Sequence, residues 1–186
     1  MTNNDPYKLL AERLDALPNG FPPTDDGTEL RLLALIFTPE EAALAAQLRL
    51  TLETPAQIAA RIGGDIATLR KQLKEMARRG LIAAGRTEDG LAYGLMPFAV
   101  GIYEMQVQTI DAEFARQFEA YYHKAFGQML AVTPQIHRVV PVEQSVRTDM
   151  EVHPFESAAE IVAQAKAWGV LDCLCRKQQT LIGRPC

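Results

Sequence analysis

Apolar residues recur at intervals of three and four along the first half of the chain, the spacing that places them on one face of a helix. Four leucines predict a short helix within residues 1–17. Residues 18–28 contain three prolines and two glycines and predict a linker. Helical spacing resumes at Glu29, so the first of four consecutive helices is predicted directly after the linker.

Two capping boxes mark the starts of the next two helices. Thr38 and Thr54 are each followed by a proline, and the third residue after each is Glu41 or Gln57. In this pattern the threonine side chain accepts a hydrogen bond from the backbone N–H of the third residue after it. The side chain of that third residue in turn accepts from the backbone N–H of the threonine. Proline suits the first helical position. The sequence therefore predicts helices that begin at residues 39 and 55.

A fourth helix and a hairpin follow. Gly63 and Gly64 predict the end of the third helix, and Asp65 is a predicted N-cap for a helix that Gly80 ends. Two short apolar runs then flank residues 87–90, whose Asp-Gly pair predicts a β-hairpin.

The pattern changes after Pro97. Residues 103–130 predict one long amphipathic helix, residues 136–146 a strand broken by a proline, and residues 154–168 a helix ended by Gly169. An aromatic stripe on the long helix supports two alternatives, core packing or a homodimer interface. Its members are Phe114, Phe118, Tyr122 and Phe126.

These elements predict a mainly α fold with small β. We expect a winged helix-turn-helix followed by a long amphipathic helix and a small α/β segment that carries the cysteines. The expected division is an N-terminal helix and linker over residues 1–27, the winged helix over 28–97, and the remainder over 98–186.

Composition restricts the class of protein. Apolar residues make up 48% of the chain and charged residues 23%, which is typical of a globular protein, and the net charge is −4. No run of 18 uncharged apolar residues predicts a membrane span, and the N-terminus does not resemble a secretory signal. The three cysteines cluster in the last 14 residues, which predicts a reduced, cytoplasmic protein rather than a disulfide framework.

The fourth predicted helix is locally basic. Residues 66–80 contain five Lys or Arg against one acid, although residues 29–96 carry nine basic and eight acidic residues, a net of +1. A basic helix face favours contact with the phosphate backbone of DNA. The candidate DNA-binding residues are Thr68, Arg70, Lys71, Lys74, Arg78 and Arg79, with Arg86 on the wing. In the alternative interpretation, this module is a protein-docking scaffold, and Arg78 and Arg79 only complement the helix dipole.

Residues 28–96 resemble ArsR- and MarR-like winged-helix regulators. The segments that carry the resemblance are TPAQIAARIG, DIATLRKQLKEMARRGLI and the TEDG turn. The resemblance implies the fold and suggests DNA binding.

The C-terminal cysteines are candidate metal ligands. Cys173 and Cys175 are two residues apart, so in an extended chain both thiols point the same way, and a turn at Gly183 can bring Cys186 back towards them. Thiolates suit iron–sulfur clusters and zinc. Arg176, Lys177 and Arg184 would offset the negative charge of a cluster. The alternatives are empty reduced thiols, or zinc with a histidine as fourth ligand, although His123, His137 and His153 show no ligand spacing.

This tail resembles a family of anaerobe-type iron–sulfur proteins with an N-terminal winged helix. The matching positions are Asp172, Cys173, Cys175, Arg176, Lys177, Leu181, Gly183 and Cys186. The Val139–Val142 and Pro154–Glu156 segments are also similar to that family. The resemblance implies a 4Fe–4S cluster bound by Cys173, Cys175, Cys186 and a further cysteine. It also implies a longer protein with a ferredoxin-like domain after Cys186.

No catalytic motif is present in the sequence, so no enzyme activity is predicted. The leading hypothesis is an iron–sulfur-linked, redox- or metal-responsive DNA-binding regulator. A second hypothesis is an electron-transfer accessory protein whose winged helix docks on a redox partner protein. A third is a winged-helix regulator without metal.

Overall fold

A computed structural model describes residues 5–131, 133 and 153–185. The predicted mainly α fold with a small amount of β is confirmed, since the described residues form helices and one two-stranded antiparallel sheet. The chain forms two compact units, one from residues 1–136 and 173–186 and the other from residues 137–172.

The N-terminal helix, α1, spans Pro6–Asp15 and is capped by Asp5, which accepts from the Tyr7 amide at 3.0 Å. The following linker is irregular, as predicted, but it contributes to the core. Its Phe21 ring is buried, with its centroid 4.6 Å from that of Phe98 and 4.8 Å from that of Tyr121. The linker therefore fastens α1 to the later part of the first unit.

Four helices follow, and the starts of the last three agree with the predicted capping residues. They are α2 (Thr28–Ala34), α3 (Pro39–Ala45), α4 (Pro55–Ile62) and α5 (Ile66–Arg78). Both predicted capping boxes form, at Thr38 and at Thr54. Asp65 caps α5 through the Thr68 amide at 2.8 Å, and Gly80, with φ of +70°, follows its end.

The predicted hairpin is present as β1 (Ala83–Thr87) and β2 (Gly90–Gly94), paired in antiparallel register with Thr87 opposite Gly90. Glu53, in the segment between α3 and α4, forms an isolated bridge to Tyr93. Its amide donates to the Tyr93 carbonyl at 2.9 Å and its carbonyl accepts from the Tyr93 amide at 2.8 Å. The sheet is thereby joined to the chain between α3 and α4.

The prediction of a single helix over residues 103–130 is wrong. The chain instead forms a 3-10 helix at Glu104–Gln108, α6 at Ala112–Tyr121, a π-helical turn at Tyr122–Phe126 and α7 at Gly127–Leu130. The reason is Asp111, whose backbone is extended and whose carboxylate caps α6 through the amides of residues 113 and 114.

The aromatic stripe packs within its own chain. Phe114, Phe118 and Phe126 are buried among core residues, and only Tyr122 is substantially exposed. The ring centroids of Phe118 and Tyr103 are 3.8 Å apart in a stacked arrangement. This burial matches the core-packing alternative and leaves little of the stripe for a homodimer partner.

The last helices differ from expectation at their ends. In the second unit, α8 spans Phe155–Gln164 and ends four residues before Trp168, because Ala165 adopts an extended conformation. In the first unit, α9 spans Leu174–Leu181. The chain is not extended through Cys175, because Cys173 is the N-cap of α9 and Cys175 lies in its first turn. The strand predicted over residues 136–146 lies outside the described residues.

Within the described parts of the chain, no helix combines the length and the apolar character needed to cross a bilayer.

Candidate functional site

Helix α9, which carries the cysteines, is fixed to α6 by one apolar and one polar anchor. Leu174 is buried in the core of the first unit. Gln178 is 3% exposed, and its amide donates to the Ala115 carbonyl at 3.4 Å and to Glu119 Oε2 at 3.0 Å. Because both anchors follow Cys173 within five residues, they fix where the thiols lie.

Glu119 is the polar centre of this contact. Its carboxylate accepts from Gln178, from Gln179 at 3.2 Å and from Arg184 at 2.8 Å, and His123 lies 3.2 Å away. Burial acts to raise the pKa of Glu119, but the hydrogen bonds outweigh it, so that the pKa lies below its ordinary value. The charged carboxylate therefore stabilises the docked position of α9.

The thiols of Cys173 and Cys175 are close enough to interact. Burial, the Cys173 side chain and the Glu104 carboxylate together raise the pKa of the Cys175 thiol. A raised pKa favours the protonated thiol in metal-free protein. A soft metal ion displaces that proton when it binds, because the thiolate is the ligand. Both cysteine residues are exposed, so a metal can reach them from solvent.

A cavity of about 390 Å³ opens beside Cys175. Aromatic rings of Tyr103, Phe118, Tyr122 and Phe126 form much of its wall. The space is mostly apolar, and its sulfur atom is supplied by α9. Such a mixture of rings and a few polar groups is typical of a binding cavity rather than of a packing defect.

The hydroxyl of Tyr103, a residue that lines this cavity, is a buried polar group without an explained partner. Tyr103 is 2% exposed, and its hydroxyl finds no hydrogen-bond partner among the described residues. Burial, and then the nearby Cys175 sulfur, raise the pKa of Tyr103, so its hydroxyl stays protonated and can donate. A buried donor without an acceptor costs free energy and calls for an explanation.

Cys173 and Cys175 are soft sulfur ligands of the kind that thiophilic metals and iron–sulfur clusters take, and they would supply two of the four ligands that such a site needs. The third predicted ligand, Cys186, lies outside the described residues. Among the residues that the structure describes, no three His, Cys, Asp or Glu side chains are grouped to hold a metal. The structure thus brings two of the three predicted ligands together.

The basic residues of the tail are mostly engaged within the protein. Lys177 Nζ donates to the Val107 carbonyl at 2.6 Å, and Arg184 pairs with Glu119. Arg176 is exposed and has no ion-pair partner in the described ranges. Of the three basic residues predicted to compensate the charge of a cluster, Arg176 is therefore the one that has no ion pair to a described residue.

The basic face of α5 divides into free and engaged side chains. Arg70, Lys71 and Lys74 are exposed and form no ion pair with any described residue, and the same holds for Arg86 on β1. Arg78 pairs with Glu75 at 2.8 Å on the same helix. Four of the predicted contacts are therefore available to a ligand.

Two of the predicted DNA-binding residues have structural roles. Arg79 pairs with Glu41 of α3, and its guanidinium donates to the Ile36 carbonyl at 2.9 Å, so it ties the end of α5 to an earlier helix. The Thr68 hydroxyl donates to the capping carboxylate of Asp65 at 2.8 Å. These bonds help to form and position α5.

Tyr103 and Glu119 were not singled out by the sequence. Tyr103 falls off the aromatic stripe, and Glu119 resembles any polar residue on the flank of an amphipathic helix. Tyr103 lines the same cavity as Cys175, and Glu119 accepts from Gln178 and Arg184, all of which are more than 55 positions away. No local pattern carries that information.

Comparison with known proteins does not extend this picture. The chain matches no protein-family model, no curated protein and no solved structure.

Proposed function

We propose that this chain is a winged-helix protein that binds DNA and responds to a metal centre, a 4Fe–4S cluster in the first instance, held by its C-terminal cysteines. The observation that carries the DNA-binding role is the outer face of α5, with three exposed cations that are unpaired within the described residues. Cations displayed on a rigid helix neutralise phosphates and supply most of the non-specific affinity for DNA.

The order of the elements supports the winged-helix interpretation. Helices α4 and α5 are joined by a short turn at residues 63–65, and the β1–β2 hairpin follows α5. In helix-turn-helix proteins the second helix of the pair enters the major groove, which here is α5. The Glu53–Tyr93 bridge ties the hairpin to the segment before α4, which would hold the wing next to the pair.

The metal-binding role is supported by the thiol pair. Cys173 and Cys175 would bind the metal, and Glu119 would fix their helix through Gln178 and Arg184. A bound iron–sulfur cluster would supply one-electron redox chemistry.

The DNA-binding role is tested by fluorescence anisotropy of mixed-sequence duplex DNA against the full chain over a series of salt concentrations. Arg70→Ala and Lys71→Ala should each weaken binding to all sequences and reduce the salt slope by about 1, because each removes one phosphate contact. Arg116→Ala is the matched control, since Arg116 is an exposed arginine on α6 with no ion pair to a described residue. Equal slopes for all variants would contradict DNA binding by α5.

The metal-binding role is tested by anaerobic reconstitution of the full chain with iron and sulfide. We expect stoichiometric iron and charge-transfer absorbance, both lost in the Cys173→Ser, Cys175→Ser double variant because serine is a hard, weak ligand. Wild-type protein without iron would overturn this half of the proposal.

A second candidate is an electron-transfer accessory protein that uses the winged helix to dock on a redox partner. It is favoured by the groove in which Lys71 lies beside Glu40, Glu41 and Glu75, since carboxylates repel phosphates and mixed charges suit a protein surface. Retained iron without salt-dependent DNA binding would favour this candidate.

A further inference from the structure

A second cavity of the first unit, of about 570 Å³, lies between α1, the linker and the start of α2. This volume lies in the range of pockets that hold small organic ligands. Four apolar residues form part of its wall, namely Ala11, Phe21, Pro23 and Leu30. An occupant with an apolar body would be stabilised by contact with this wall, whereas a hydrated metal ion would not.

The rest of the wall is acidic, with five carboxylates and one lysine. Two of the carboxylates are paired with a lysine, since Glu12 lies 3.9 Å from Lys8 and Asp26 lies 2.6 Å from Lys124. The other three form no ion pair with a described residue, and they are Asp15, Asp25 and Glu29. The cavity therefore carries negative charge that the described part of the chain does not neutralise.

Glu29 is the buried member of this set, with an exposed fraction of 4%. Its Oε2 accepts from the Thr24 amide at 3.0 Å and from the Thr24 hydroxyl. Its Oε1 accepts no hydrogen bond from a described residue and is not sealed from solvent. A buried carboxylate without a counter-ion costs free energy, so a cation that enters the cavity would remove this cost.

We propose that this cavity binds a small organic amine with an apolar body. The protonated amino group donates to Glu29 Oε1, and the apolar body lies against Phe21 and Leu30. Asp25, which is exposed, adds attraction where the ligand enters. An ammonium group suits the site because it is a compact charge with several donors and no acceptor. The inference depends on neither the proposed DNA binding nor the proposed metal binding.

The wall of the cavity is fixed by contacts behind it. The ring of Phe21 packs on Phe98 and Tyr121, with centroids 4.6 and 4.8 Å apart. The Tyr121 hydroxyl donates to the Pro22 carbonyl at 3.0 Å, which ties the linker to α6. A pocket that is already formed loses little conformational entropy when a ligand binds.

The test uses three probes that share one apolar body and differ in the charge of the head group. They are 4-phenylbutylamine, 4-phenylbutanol and 4-phenylbutyrate. Each is titrated into the full-length, ¹⁵N-labelled protein near neutral pH, and ¹H–¹⁵N spectra report both the affinity and the amides that shift. We expect the amine to bind about tenfold more tightly than the alcohol, because its hydrogen bond to Glu29 is charge-assisted. The carboxylate should bind most weakly, and the shifts should centre on residues 8–30.

Glu29→Gln removes the charge and keeps an acceptor for Thr24. It should lower the affinity for the amine about tenfold and leave the affinity for the alcohol nearly unchanged. Asp25→Asn is a second variant at an exposed position, where loss of the charge should weaken amine binding about twofold to fivefold. Glu113→Gln is the matched control, because it removes one exposed carboxylate on α6, and all three affinities should stay as in wild type.

Thermal melting of the ligand-free proteins separates binding from folding. Glu29→Gln should melt no lower than wild type, because it removes a buried charge that has no counter-ion among the described residues. If Glu29→Gln does not fold, Asp25→Asn decides the test.

Three outcomes would overturn the inference. They are equal affinity of wild type for the amine and the alcohol, amine affinity that is the same in wild type and in both cavity variants, and amide shifts centred outside the cavity. The proposed function stands in each case.

Discussion

Single side chains hold the C-terminal helix in place. The Glu119 carboxylate, on α6, collects donors from Gln178, Gln179 and Arg184. One charge thus fixes three positions of the cysteine-bearing tail. Hydrogen bonds to a partly buried ion are stronger than those between neutral groups, so a large share of the docking free energy depends on Glu119.

Glu119→Gln should lower the free energy of unfolding by about 1–2 kcal/mol, because charge-assisted bonds become neutral ones. The pKa of Glu119 is lowered in the folded state. Its contribution is therefore full above the unfolded value of about 4.3 and is lost as the pH falls through the folded pKa. Urea unfolding of wild type and variant from pH 7 to pH 3 checks both points.

Glu113→Gln is the control for this measurement, since Glu113 is exposed on the same helix. We expect the difference in the free energy of unfolding between wild type and Glu119→Gln to become smaller as the pH is lowered. A difference that stays constant over the whole range would show that ionisation of Glu119 does not hold α9.

At the scale of elements, the glycine that ends α5 determines how closely the 3-10 helix packs against it. Gly80 has φ of +70°, which reverses the chain after the helix. A Cβ at this position would press against Met105 Cβ of the 3-10 helix. The glycine therefore serves both the left-handed turn and the close approach of the 3-10 helix.

Gly80→Ala should destabilise the protein more than Gly27→Ala. Gly27 also has positive φ, +68°, in the left-handed region, and the nearest atom to a Cβ there is Leu30 Cδ1 at 3.8 Å, so Gly27→Ala should cost only the backbone strain of about 1–2 kcal/mol. Gly80→Ala should cost a further amount of about 1–3 kcal/mol through overpacking. Chemical denaturation measures the free energy of unfolding of both variants. Equal losses of stability would mean that the contact with Met105 relaxes without cost.

At the scale of the whole molecule, the 3-10 helix joins the end of α5 to the cysteine helix. The buried Gln106 amide donates to the Arg79 carbonyl at 3.3 Å and to the Gly80 carbonyl at 3.5 Å. On the other side, Lys177 of α9 donates to the Val107 carbonyl. If the proposed metal site forms, this chain of contacts would connect it to α5.

Gln106→Met should reduce the coupling between metal and DNA binding while leaving each binding event intact. Coupling between two sites commonly amounts to about 5- to 150-fold in affinity and is reciprocal. DNA titrations with and without Co²⁺ measure it, and we expect the ratio to approach one in Gln106→Met. Gln108→Met, an exposed position on the same 3-10 helix, is the control. An unchanged ratio in Gln106→Met would exclude this route.

Much of the fold was predictable from the sequence, and the candidate site was predictable only in part. The starts of α3, α4 and α5 follow from Thr38, Thr54 and Asp65, because a cap bonds to amides two or three residues away. Asp111 carried the same information about α6, but the apolar spacing over residues 103–130 hid it. Cys173 and Cys175 are neighbours because one residue separates them, and their joint binding of a metal stays a prediction.

The sequence by itself determined where α3, α4 and α5 begin and where the hairpin turns, because capping residues and the hairpin turn depend on bonds between neighbouring residues. Only the tertiary structure decided the roles of side chains that meet across the chain. Arg79, at the end of α5, has a structural role because it forms an ion pair with Glu41 of α3. Tyr103 lines the cavity beside Cys175 because α9 packs against α6. The reason is physical: ion pairing and burial depend on distance in space, which the spacing of residues along the chain does not specify.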